Sequence, residues 1–139
     1  MLFESIDKGL KNIVFVYTTC SSIEEARSLG FSSVNEKLAI SADYWFLDSI
    51  YLWNGVIREG NQYMLMLATQ KELSEELIKH IEIRHSYHIP MIARCDVPMT
   101  NHLYHSWVEN ILTNKDEYIS ESEEKMKEHN EEYKDSRLK

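Results

Sequence analysis

Ser49-Ile50-Tyr51-Leu52-Trp53-Asn54-Gly55 decides how this chain folds. Its bulky β-branched and aromatic residues suit a pleated strand, and Asn-Gly is the dipeptide that best tolerates the positive φ angles of a tight hairpin turn. Upstream, Ile40, Ala42, Tyr44 and Phe46 continue a rough alternation, and downstream Tyr63-Met64-Leu65-Met66-Leu67-Ala68 forms a second apolar run. Glu59-Gly60-Asn61 is a further turn signal. The pattern predicts two long antiparallel strands joined near residues 54–61.

The flanking segments extend that unit. Ile13-Val14-Phe15-Val16-Tyr17 is a short continuous apolar run, as expected of a strand buried on both faces. Ser22 and Glu25 have capping-box spacing, so a helix starts there, with Ala26, Leu29, Gly30, Val34 and Leu38 as its inner stripe. Small residues at 26, 30 and 33 let that helix lie close to a sheet. Thr69 and Glu72 repeat the capping-box spacing ahead of a helix with Leu73, Leu77 and Ile81 on one face, ending near His85. Residues 89–97 read as a strand that starts at Pro90, where a missing N–H costs least. A last helix from Asn101 to Leu112 buries Leu103, Trp107 and Ile111 and leaves His102, His105 and Glu109 toward water.

The order is β-α-β-β-α-β followed by α, an α+β ferredoxin-like plan with an antiparallel sheet and an extra C-terminal helix. Both main helices cover one sheet face, and the aromatic hairpin calls for another subunit on the other. Three regions are expected: an extension over 1–10, one domain over 11–114 and a tail over 115–139 with nine acidic and six basic side chains in helical i,i+4 spacing.

Composition narrows the function. The 139 residues suit one core; 43% are hydrophobic and 27% charged, and the net charge of −8 repels phosphate backbones. No nucleic-acid partner is expected. No apolar run reaches the length of a membrane helix, and the N-terminus lacks a basic segment followed by an apolar one, so no membrane partner and a cytoplasmic location are expected. Cys20 and Cys95 then read as reduced thiols.

The ordered pieces resemble the CutA divalent-cation tolerance family. Ile13-Val14-Phe15-Val16-Tyr17-Thr18 is similar to its first strand V-F-V-T, Glu36-Lys37-Leu38-Ala39 to its K-L-A, and Ser49 to Ile57 to its S-I-Y-W-W-x-G-K-I. His85-Ser86-Tyr87-His88-Ile89-Pro90 stands for H-P-Y-E-V-P, and Asn101, Tyr104, Trp107 and Val108 for N-x-x-Y-x-x-W. The family's A-C-V-N segment reads Ile40-Ser41-Ala42-Asp43 here, with Ser41 about where its cysteine stands. The resemblance implies a homotrimer tied to tolerance of copper or another divalent cation. It has no certain cofactor and no enzymatic role.

Four aromatics, Tyr51, Trp53, Tyr87 and Trp107, are candidates for an inter-subunit cleft. His85 and His88 are candidates for a metal site, because imidazole suits borderline divalent ions. No Gly-rich phosphate loop, paired-carboxylate signature or G-x-S-x-G is present. The alternative function is a PII-like signalling or scaffold trimer that takes a small effector or partner protein between subunits.

Overall fold

The computed structural model describes residues 12–112; the expected extension 1–10 and charged tail 115–139 lie outside the described residues. Its elements are β1 (Ile13–Cys20), α1 (Ile23–Asn35), β2 (Ser41–Trp53), β3 (Val56–Gln70), α2 (Lys71–Arg84), β4 (Ile92–Asp96) and α3 (His102–Leu112). The four strands form one sheet in the order β2-β3-β1-β4, and every neighbouring pair is antiparallel. This is the ferredoxin-like arrangement that the element order predicts.

The hairpin closes at Asn54 and Gly55, whose φ angles of 49° and 75° are both left-handed, as a type I′ turn demands. Trp53 pairs directly with Val56, and the ladder runs unbroken to Ser41 and Ala68. The second turn signal, Glu59-Gly60-Asn61, is therefore not a turn: these residues lie inside β3, opposite Ser49, Ile50 and Asp48. Two strands already zipped by the I′ turn leave no reason for the chain to reverse again, and Gly60 instead leaves room beside the Tyr51 ring.

Strand alternation divides the sheet into two faces. Val14, Val16, Thr18 and Cys20 of β1 share the helix-covered face with Leu65 and Leu67 of β3, and all are fully buried. Ala26 and Leu29 of α1 and Leu77 and Ile81 of α2 complete the core. Gly30 brings α1 down onto β2: a Cβ there would stand 2.8 Å from Ala42 Cβ. Ser22 caps α1, its Oγ accepting from Glu25 N–H at 3.1 Å.

Several packing expectations change. Ser33, not Val34, faces inward, because its hydroxyl satisfies itself on Leu29 O at 2.7 Å while Val34 stays outside. Thr69 does not cap α2. Its hydroxyl is buried in β3 and donates to Leu38 O at 2.6 Å, and Gln70 is the N-cap without a side-chain cap bond. Leu73 is only half-buried, with Ser74 and His80 buried in the same helix. The last strand is shorter than 89–97: its ladder with β1 runs over Ile92–Asp96, and Val97 N–H adds one bond to Ile13 O at 3.2 Å.

On α3 the fully buried residue is Val108; Leu103 is exposed, Trp107 and Ile111 are half-buried, and His105 turns partly inward, its Nδ1 shielded from water. The helix is rolled relative to the expected stripe, with the Tyr104 hydroxyl set against Ser41. Ser41 lies on the open sheet face, since Ala42 next to it faces α1. Thus α3 covers only the Ser41 end of that face.

Candidate metal centre and its neighbours

β1 and α2 run in the same direction, because each is followed or preceded by the antiparallel β3. Their C-terminal ends therefore meet at one edge of the fold. Cys20 closes β1, His85 follows the last residue of α2, and Glu25 sits in the first turn of α1 nearby. Among the described residues these three form a group whose ligand atoms all lie within 4.8 Å of one another.

The group is tightly bonded. His85 Nε2 is 2.9 Å from Thr19 O, and a carbonyl only accepts, so Nε2 carries the proton. Thr18 Oγ1 lies 3.0 Å from the same nitrogen. Nδ1 is then the unprotonated nitrogen, and it accepts from Tyr87 N–H at 3.0 Å. Glu25 Oε1 accepts from Ser21 N–H at 3.0 Å and Oε2 from Ser86 N–H at 2.8 Å. Burial works against the Glu25 charge, but hydrogen bonds from Ser86 and Ser21 and the nearby His85 outweigh it and hold the carboxyl below its ordinary range. Burial, with a smaller push from Glu25, raises the Cys20 thiol to about 12, so it is a thiol and not a thiolate at neutral pH.

Of the two histidines expected to ligate, His85 is in the group and His88 is exposed and outside it. The sequence reading missed Cys20 and Glu25 as partners. Topology was the available signal: in a β-α-β-β-α-β chain the end of the first strand and the end of the second helix share one side of the molecule.

The aromatic candidates separate into two places. Tyr87 is half-buried, and its hydroxyl donates to Gln62 Oε1 at the base of the hairpin, 3.4 Å away. Burial first, then the charges of Glu25, Cys20 and Tyr51, raises its phenol. Trp53 is half-exposed at the hairpin tip. Trp107 packs 6.1 Å from Tyr104, which bonds Ser41 at the other end of the same strand. Thirteen residues separate those ends in β2, roughly 40 Å at the usual strand rise, so one chain cannot bring Trp53 and Trp107 together.

A second cluster bridges the helices. His80 Nδ1 lies 3.2 Å from Glu36 Oε2, and Nε2 lies 2.9 Å from Ser32 Oγ. Burial, then Arg84, lowers His80 from its ordinary value against the opposing pull of Glu36. The row Ser-His-Glu has the outline of an acyl-transfer relay. However, Ser32 Oγ also donates to Leu29 O at 3.2 Å, so the hydroxyl is held by its own helix. The cluster bolts α1 to α2.

A family model for "CutA1 divalent ion tolerance protein" matches residues 14–111. The divalent-cation tolerance protein CutA of Thermococcus kodakarensis is 32% identical over 99 residues, covering 71% of this chain and 95% of that one. The crystal structure of CutA1 from Pyrococcus horikoshii superposes with a TM-score of 0.68 at 31% identity, covering 70% of this chain and 96% of that one. CutA1 from Ehrlichia chaffeensis superposes with a TM-score of 0.71 at 26% identity, covering 73% and 96%. The comparisons also correct the expected cytoplasmic location. Relatives from Arabidopsis thaliana and rice are named chloroplastic, and a solved relative from Archaeoglobus fulgidus is titled periplasmic. A fold that serves in several compartments carries no address in its core, and no helix of the described residues is long and apolar enough to cross a membrane.

Proposed function

The chain belongs to the CutA1 divalent ion tolerance family, and from that premise we propose that it is a non-enzymatic homotrimer of the divalent-cation response, copper included, that captures the ion at Cys20, Glu25 and His85. The carrying observation is the convergence of a thiol, a carboxylate and an imidazole from three separate elements within 4.8 Å. Those donors together suit a borderline ion such as copper or zinc. His85 keeps the role the sequence suggests for it, and Cys20 and Glu25 take the place of His88 beside it.

The donors are engaged before the ion arrives. The thiol must lose a proton, and one His85 nitrogen must give up a hydrogen-bond partner. Binding is therefore modest and tightens as pH rises, which suits a response to excess cation better than storage.

The trimer reading rests on uncovered surface. Ile50, Leu52 and Ile57 are more than 70% exposed on the hairpin, and Trp53 and Val56 are about half-exposed. Among the described residues, β2 is an edge strand whose outer side has no neighbouring strand. Hairpins laid across neighbouring copies bury both, and carry Trp53 to a neighbour's surface.

Isothermal titration with zinc and copper tests the site. Micromolar binding should vanish in Cys20→Ser and in His85→Ala and survive in His88→Ala. Absent binding, or binding lost only with His88, contradicts the assignment.

A further inference from the structure

The atoms offered to a cation are the same atoms that fasten the segment 85–91 between α2 and β4. Glu25 Oε2 holds Ser86 N–H at 2.8 Å, His85 Nδ1 holds Tyr87 N–H at 3.0 Å, and His85 Nε2 holds Thr19 O at 2.9 Å. Beyond this clasp, the Tyr87 hydroxyl donates to Gln62 of β3 at the root of the hairpin.

We propose that cation capture and the His85 part of the clasp exclude one another, so that an ion held by Cys20, Glu25 and His85 releases the backbone N–H of Tyr87 and thereby loosens Tyr87 from the hairpin. An imidazole nitrogen that ligates a metal has no lone pair left for an N–H and no proton for a carbonyl. If Nδ1 ligates, the Tyr87 N–H loses its acceptor. If Nε2 ligates, its proton moves to Nδ1, the tie to Thr19 O is lost, and Nδ1–H then faces the Tyr87 N–H, donor against donor. Glu25 keeps its bonds from Ser21 and Ser86, because each of its oxygens has a second lone pair for the ion. Cys20 likewise joins the ion without leaving a clasp bond, since no clasp bond uses its sulfur. The occupied and clasped forms are therefore two states of one element, biased by the ion. The hairpin, which the trimer reading assigns to the neighbouring copies, receives the change through Gln62.

This inference rests on the cation site proposed above. It is tested by hydrogen–deuterium exchange of the full chain with and without zinc chloride, an ion that does not oxidise thiols. The Tyr87 amide should exchange about tenfold faster with zinc, the factor expected when a part-buried hydrogen bond to a polar partner is given up. Amides of β1 up to Val16 should not change. In Cys20→Ser, zinc should have no effect on the Tyr87 amide. Zinc binding seen by calorimetry, lost in Cys20→Ser, but with unchanged exchange at Tyr87, overturns the inference and leaves the site standing. Absence of any zinc binding overturns the site and the inference together.

Discussion

The two halves of the β2–β3 ribbon are built from similar residues and meet opposite surroundings. Leu65 and Leu67 lie under α1 and α2 and are fully buried, whereas Leu52 and Ile57, on the same face of the same strand pair, lie beyond both helices and stand in solvent. A single chain thus completes the inner half and leaves the outer half unfinished. Similar side-chain chemistry is buried under the helices in one place and left exposed in the other.

The sharpest way to separate the halves is to truncate one leucine-sized group in each. Leu67→Ala should cost about 2–5 kcal/mol of unfolding free energy, the usual range for a buried leucine. Ile57→Ala should cost the folded monomer less than about 0.5 kcal/mol, as exposed substitutions do, while weakening assembly. Chemical denaturation of both variants, compared at low and high protein concentration, reads the difference. If Ile57→Ala is as damaging as Leu67→Ala at all concentrations, the halves are not distinct.

Gly30→Ala probes how closely the inner half is packed. Helix propensity favours alanine by about 1 kcal/mol, but the new methyl meets Ala42 Cβ, which has no rotamer to swing aside. Overpacking of about 1–3 kcal/mol should win, giving a net loss near 1 kcal/mol by thermal unfolding. At the far tip, Gly55→Ala places a Cβ at a φ of 75° and should cost about 1 kcal/mol through the turn alone, with no clash, since nothing lies within 4 Å.

The smallest effect is the pH dependence carried by His80. Burial and Arg84 lower its folded value below the ordinary 6.5, with Glu36 opposing and Ser32 on the other nitrogen. The unfolded chain therefore takes the proton first as pH falls. Stability from this group is complete above pH 6.5 and drains away as pH drops through the lower folded value. Unfolding midpoints measured across that window should slope downward toward acid, and the slope should flatten in His80→Gln.

Much of this was legible in the residues. Asn54-Gly55 specifies its turn because few other dipeptides accept two left-handed angles, and Ser22 with Glu25 specifies a cap because the partners are local. What failed was context-dependent. Glu59-Gly60-Asn61 looks like a turn until a preceding turn has set the register, and Thr69 looks like a cap until Leu38 O captures its hydroxyl. Leu103 looks like core until the helix is rolled, with Tyr104 set against Ser41. The proposed site was half legible for the same reason. His85 stands out in sequence, but Cys20 and Glu25 lie about sixty residues away and join it only through the sheet.

The central claim is that the bare outer ribbon is finished by other copies of the chain, and solution mass tests it most directly. Light scattering during gel filtration should give the mass of three chains for the wild type. Replacing Leu52, Trp53 and Ile57 with serine should give the mass of one chain that still shows a cooperative thermal transition. A wild-type protein that runs as a single chain at micromolar concentration, with the ribbon in water, contradicts the account.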